Sequence, residues 1–265
     1  MYSPYPLTRG VRALLIANVA VFILQLLPGM GAWLENNAAF IPIETFGHGQ
    51  LWRLLTYMFL HSIVVFSHLV LNMLGLWMIG GVLEERWGTR KFIGLYFLFG
   101  AGAALFGVFY LFEPSLRIMH VIGASGAVFG LLTAYAIYYP NSLVLLFFVV
   151  PMRAWMIVAG FAVLSLLFAF SQGSGIAHLI HLGGIVVAFF WLKSRPGIGA
   201  WYRAQKELQG EKEMRRRAEG QVSRKRYYEE KVDPILEKIA RVGEDALTKE
   251  EKKTLGDVWR FKKQE

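Results

Sequence analysis

Two short strings carry residue types that can do chemistry. Gly123-Ala124-Ser125-Gly126 and His181-Leu182-Gly183-Gly184 each set a reactive polar side chain among glycines inside an apolar run. Hydrocarbon gives such a side chain no solvation, so an ionisable or nucleophilic residue there marks a functional site by default. A serine hydroxyl needs a base to take its proton, and His181 is the candidate base for Ser125. A third string, His68-x-x-x-Asn72, puts an imidazole and an amide one helical turn apart on one face.

The remaining residue types narrow the chemistry by elimination. A catalytic triad adds a carboxylate that orients the histidine. All three aspartates (Asp233, Asp245, Asp257) stand in the last part of the chain. Glu35, Glu44, Glu84, Glu85 and Glu113 fall in loops or at the far end of the second apolar run, where Glu84 and Glu85 are expected to pair with Arg86 and Lys91. The site therefore reads as a Ser–His dyad, and a membrane aspartyl protease is excluded. With no cysteine, thiolate catalysis, disulfides and Cys-ligated zinc are excluded as well. No H-E-x-x-H motif accompanies His68, His178 and His181, which argues against a metal site. Acyl transfer also needs donors for a developing oxyanion. The Ser125 N–H near a helix N-terminus is one, and His68 and Asn72 are the natural side-chain donors. Gly123 and Gly126 are expected to leave room for a substrate backbone.

These residues need elements to hold them at one level. The chain is 55% hydrophobic with a mean hydropathy of +0.42, an excess that suits an all-α polytopic membrane protein. Spans of roughly 20 apolar residues are expected near 11–28, 66–83, 91–112, 123–139, 153–170 and 176–193. The first has Arg9 and Arg12 before it and no small-x-small cleavage site after it, so it reads as a retained span. Six spans put both termini on one side. Arg9, Arg12, Arg86, Arg90, Lys91, Arg153, Lys193 and Arg195 fall there, with only Arg53 and Arg117 opposite, which makes that side cytoplasmic. On this topology Ser125, His181, His68 and Asn72 converge from three spans at one depth in the outer leaflet.

Between the spans, Leu51–Val65 is too polar for a span and too apolar for a solvated loop, so it is expected to lie half-buried against the helices. The stretch 141–151 reads as an interfacial approach to the fifth span. Gly126 with Gly130, and Gly184 with Ala188, form small-xxx-small pairs that let the fourth and sixth spans approach closely. Residues 195–265 hold 19 Lys/Arg and 14 Asp/Glu and form a charged helical tail. There Asp233-Pro234 reads as a helix start, Gly243 as a stop, and Thr248 with Glu251 as a capping box. A two-helix appendage over 233–262 is expected, with Ile235, Leu236, Ile239, Val242, Leu247, Leu255 and Trp259 as its apolar seam. The basic clusters report topology and contact with anionic lipid rather than nucleic acid.

With these residues assembled, the chain resembles a rhomboid, the family of intramembrane serine proteases, over about residues 10–194. The resemblance rests on Trp52-Arg53, His68-x-x-x-Asn72, Gly123-x-Ser125-Gly126 and His181 before Gly183-Gly184, in the six-span bacterial type. It implies Ser125 as nucleophile, His181 as base and His68 with Asn72 as oxyanion donors. It also implies transmembrane protein substrates, admitted past the fifth span and cut near the membrane surface. Phe129 matches a position where the family sets an aromatic ring against the catalytic histidine. The expected organisation is a rhomboid domain over 1–194 and a tail over 195–265, in the bacterial inner membrane, without cofactor or metal. The competing class is a non-catalytic rhomboid-like scaffold that binds transmembrane segments; inactive relatives usually lack the serine or the histidine, and this chain keeps both. A transporter would gather its polar residues near the midplane.

Overall fold

A computed structural model describes residues 6–146, 150–169, 178–194 and 198–262. The chain forms two compact units, one ending at Arg195 and the other starting at Pro196. In the first, the helices are α1 (Arg9–Gln25), α2 (Met30–Ala38), α3 (Arg53–Thr56), α4 (Phe66–Trp87), α5 (Thr89–Leu105), α6 (Ser125–Tyr138), α7 (Ala154–Leu167) and α8 (His178–Lys193). Six of them lie where spans are expected. By length and composition two, Phe66–Trp87 and Thr89–Phe112, qualify as membrane spans, while α6, α7 and α8 are apolar but shorter. The expected limits at 170 and 176–177 lie outside the described residues.

Glycine sets the packing. A Cβ at Gly184 would meet the Gly126 carbonyl oxygen at 2.1 Å, and one at Gly130 would meet the Phe99 side chain at 2.5 Å. Thus α6 rests backbone-to-backbone on α8 and against α5, as the small-residue pairs predict. Around this contact the core is aromatic and aliphatic, with Phe92, Tyr96, Phe99, Leu131 and Ala188 all fully buried.

The long first connection is ordered by a buried arginine. Arg53, 3% exposed, donates to Ala39 O (2.7 Å), Asn36 O (2.6 Å) and Gln50 Oε1 (2.7 Å). Trp52 Nε1 donates to Asn37 O at 3.0 Å and Thr56 Oγ1 to Ala38 O at 2.7 Å. Together they satisfy the carbonyls that the end of α2 leaves open. Tyr57, Met58 and Leu60 are buried beneath, so this segment is packed on the bundle as expected.

Within and beside the 141–151 stretch, β1 (Leu143–Leu146) pairs antiparallel with β2 (Val150–Arg153), in the register Leu143 opposite Arg153 and Leu145 opposite Pro151. Its β-branched and apolar run prefers an extended backbone. Glu84 does not pair with Arg86 or Lys91: its carboxylate accepts Thr8 Oγ1, Gly10 N (2.8 Å), Val11 N (2.8 Å) and Thr89 Oγ1 (2.6 Å), while Arg86 lies over the Tyr138 ring. The open N–H groups at the start of α1 are a better partner for a buried carboxylate than a cation that can reach solvent.

In the second unit, α9 (Ile198–Tyr227) runs through a wide turn at Tyr228–Val232 into α10 (Asp233–Val242). Asp233 is therefore inside a continuous helical path rather than a cap, its φ/ψ of −59°/−41° being helical. Pro234 is tolerated because the first turn of α10 does not need its missing N–H. Gly243, with φ +84°, ends α10. Then α11 (Lys249–Lys262) opens on the expected capping box, Thr248 N to Glu251 Oε2 at 2.7 Å and Glu251 N to Thr248 Oγ1 at 3.3 Å. Lys238 Nζ joins the two helices through Glu251 at 2.9 Å. Ile235 is buried with Val232, but Leu236 is half exposed and not part of the seam. The side chains of Val242 and Trp259 lie outside the described residues.

Candidate active site

Ser125 is the first residue of α6, and the extended strand before it is fixed at three points. Phe40 N donates to Val121 O (3.0 Å), Val121 N to Phe40 O (2.8 Å), and Gly123 N to Tyr57 O (3.0 Å). Gly123 then turns the chain with φ +116°, a conformation that side-chain-bearing residues rarely adopt. The next residues enter the helix, which leaves the first N–H groups of α6 at the serine without intrahelical partners.

Across from it, α8 brings His181 to the same point. His181 Nε2 lies 2.7 Å from Ser125 Oγ, a hydrogen bond between groups 56 residues apart in sequence. The start of α8 is tied down by Tyr110, whose hydroxyl accepts Leu179 N at 3.2 Å. Phe129, one turn after the serine, holds its ring 4.6 Å from the imidazole at 39°. Phe161 of α7 meets Phe129 edge-on at 4.9 Å. His178 stands 6.3 Å from His181, ring to ring, and against Phe168.

From α4 come His68 and Asn72. A Cβ at Gly123 would lie 2.6 Å from His68 Nε2 and 3.7 Å from Asn72 Nδ2, so both side chains converge two residues before the serine. The space at Gly123 is thus filled by the His68 ring. That at Gly126 is filled by Ala103, Tyr57 and Ile180. These glycines make room for the site's own side chains. Asn72 Nδ2 donates to His68 O at 2.9 Å, which orients the amide and leaves its second hydrogen available. Ser62 N donates to His68 Nδ1 at 3.4 Å. An accepting Nδ1 puts the proton of a neutral imidazole on Nε2, the nitrogen that faces Gly123.

The structure therefore brings Ser125, His181, His68, Asn72, Gly123, Gly126 and Phe129 into one cluster. Absent from the sequence reading are Tyr57, Tyr110, Ser62 and Gln25, which act through backbone groups. Gln25, at the end of α1, pairs with the backbone of His61: Nε2 donates to His61 O and Oε1 accepts His61 N, both at 3.0 Å. A lone amide in the last turn of an apolar helix was the available signal. Among the described residues no three His, Cys, Asp or Glu side chains gather to hold a metal ion.

A fold of packed apolar helices with a serine and a histidine joined inside it defines a class, and comparison with known proteins identifies it. The family model of the rhomboid domain matches residues 48–194. The chain belongs to the rhomboid family. It is 28% identical over 225 residues to the mitochondrial Rhomboid protein 1 of Saccharomyces cerevisiae, covering 79% of this chain and 57% of that protein. It is 29% identical over 205 residues to the mitochondrial RHOMBOID-like protein 12 of Arabidopsis thaliana, covering 71% and 59%. With the Rhomboid protease GluP of Bacillus subtilis the identity is 28% over 175 residues, 65% of this chain and 32% of the relative. The chain thus matches less than two thirds of the length of each of these relatives. Membership makes it a membrane protein; relatives named mitochondrial stand beside a bacterial one, so the compartment does not follow from the family.

Proposed function

We propose that this chain is an intramembrane serine protease that hydrolyses peptide bonds of transmembrane substrates near the outer membrane face. Its six apolar helices would span the bilayer with both termini cytoplasmic. The observation that carries the reading is the 2.7 Å contact between Ser125 Oγ and His181 Nε2 in an apolar bundle. Relatives with protease in their names support it.

The reaction follows from the placed atoms. Ser125 Oγ attacks the scissile carbonyl carbon as its proton passes to His181 Nε2. The carbonyl oxygen becomes an oxyanion, met by the Ser125 N–H, by His68 Nε2–H and by the free Asn72 amide hydrogen. The C–N bond breaks as His181 returns the proton to the leaving amine, which leaves an ester on Ser125. Water then attacks the ester, His181 takes its proton, and the proton returns to Ser125 as the acid leaves. Phe129 keeps the imidazole in plane for both transfers. Among the described residues no carboxylate bonds His181, so its orientation depends on this ring and on the α8 backbone.

A fluorophosphonate probe tests the reading in detergent. It is expected to label Ser125, and Ser125→Ala or His181→Ala is expected to abolish cleavage of a single-span substrate. Cleavage that persists in both variants sinks the mechanism.

A further inference from the structure

We propose that Gln25, on the last turn of α1, is a positioning residue that holds His68 in the tautomer with its proton on Nε2. The inference rests on the reading of His68 as an oxyanion donor. Gln25 is 4% exposed and His61 fully buried, so the pairing between them is made away from solvent. The amide of Gln25 meets the His61 backbone as a neighbouring strand would, with one bond given and one received, each 3.0 Å.

The consequence lies in one peptide unit. His61 C=O and Ser62 N–H belong to the same planar, trans group and point in opposite directions. Gln25 holds the carbonyl end. The amide end, Ser62 N–H, donates to His68 Nδ1 at 3.4 Å. A rigid plate thus links a side chain on α1 to the imidazole on α4. Its hydrogen bonds all run one way: Gln25 Nε2–H to His61 O, Ser62 N–H to His68 Nδ1, then His68 Nε2–H toward Gly123. In such a chain each donation polarises the next group and strengthens it as a donor. The buried His61 ring lies 5.2 Å from that of His68.

Without Gln25 this peptide is held only by the buried His61 ring and by Ser62 Oγ, which accepts Val65 N at 3.0 Å, and neither bonds the His61 carbonyl; the neighbouring Ile63, Val64 and Val65 are exposed. His68 Nδ1 could then take the proton, and Nε2 would face an oxyanion with a lone pair. In water the two neutral tautomers are close in energy, so a single donated bond decides between them.

The test uses the full chain in detergent with 15N-labelled histidine, the His68 signals assigned by its own variant. Wild type is expected to show an unprotonated Nδ1 and a protonated Nε2. Gln25→Leu is expected to give mixed tautomers and a kcat about 10–100-fold lower at unchanged KM, the range seen when an outer partner that fixes a tautomer is lost. Gln25→Glu keeps the acceptor for His61 N and regains the donor only when protonated. Its kcat relative to wild type should therefore rise as pH falls, which a purely structural defect would not produce. Asn18→Leu, buried on the same helix but bonded to Leu14 O, is the control and should leave the tautomer unchanged. A single Nε2–H tautomer in Gln25→Leu, or a flat Gln25→Glu ratio across pH, overturns the proposal. Where Gln25→Leu does not fold, the Gln25→Glu profile decides. The tautomer is also read in Ser125→Ala, so persistent cleavage by that variant would sink the protease reading and leave the link between Gln25 and His68 standing.

Discussion

The carbonyl oxygen of Gly126 occupies the space that a side chain on Gly184 would need, 2.1 Å from where its Cβ would stand. This contact lies one residue beyond Ser125 and three beyond His181, so it sets how far apart the two reactive groups sit. The hydrogen bond between them is made by two helices pressed together through their backbones.

Gly184→Ala therefore tests the spacing directly. Its methyl group meets backbone, which cannot turn aside, so α6 and α8 must part. Overpacking of this kind costs about 1–3 kcal/mol. Activity should fall further than stability does, because the serine–histidine bond stretches as well. Gly94→Ala in α5 is the contrast, since nothing stands within 4 Å of its Cβ. There the helix should gain up to about 1 kcal/mol from the better helix former. Thermal unfolding and probe labelling of both variants read the two effects separately; a Gly184→Ala protein with wild-type values in each would refute the argument.

Glu84 offers a second test, at the other end of the bundle. Its carboxylate accepts two backbone N–H groups of α1 and two threonine hydroxyls. Glu84→Gln replaces one acceptor oxygen with an NH2 group that faces donors. The expected loss is roughly 2–4 kcal/mol, the size of one or two hydrogen bonds to a charged group. A melting temperature equal to wild type would show that α1 does not depend on this cap. Because Gly10 and Val11 are the bonded residues, hydrogen exchange in α1 should rise before exchange in α6.

Much of the site was legible before the structure because nucleophile, base and donors are side-chain types that apolar segments otherwise exclude. Ser125, His181, His68 and Asn72 stood out against hydrocarbon, and the glycine pairs foretold the α6–α8 contact. What escaped were bonds to backbone. No residue type announces that Tyr57 O will receive Gly123 N–H, or that Tyr110 will cap α8. The role of Glu84 was misread because neighbouring cations are visible in sequence, whereas open N–H groups 74 residues away are not. The β1–β2 pairing was missed because an apolar run of this length suits an interfacial segment and a strand equally. Tail punctuation was legible at Gly243 and Thr248, where local chemistry decides; at Asp233 an α-helix starts with Pro234 in its first turn, but the residue is no cap because a helical turn precedes it.

Acid should loosen the tail hairpin first at Glu251. Its carboxyl is held below the usual 4.5, chiefly by the Thr248 N–H and next by Lys238. A lowered folded pKa means the stabilisation is complete above the unfolded value and drains away as pH falls through the folded one. Protection against amide exchange at Thr248 and in the first turn of α11, taken relative to the intrinsic rate at each pH, should therefore fall as the pH drops below about 4.5. Glu251→Gln should show no such acid step. A loss of protection of the same size in that variant would assign the transition to another group.

Arg53 is the last and most demanding case, because its charge is buried and its partners are carbonyls. The guanidinium fork reaches Asn36 O and Ala39 O at the end of α2 and Gln50 Oε1 beside it, three bonds from one planar group. Lysine presents a single ammonium on a flexible stem and cannot span these acceptors with the same geometry. Arg53→Lys is expected to lose roughly 2 kcal/mol, and Arg53→Ala more, since both leave buried carbonyls without donors. The damage should also reach the serine. Ala39 precedes Phe40, whose backbone pairs with Val121, and that strand leads through Gly123 to Ser125. Probe labelling of Ser125 should thus slow in Arg53→Lys even at temperatures where the protein stays folded. Trp52→Phe, which removes only the bond to Asn37 O near the surface, should label at close to the wild-type rate. If Arg53→Lys labels as fast as wild type while its melting temperature falls, the first connection is a stability element with no grip on the nucleophile.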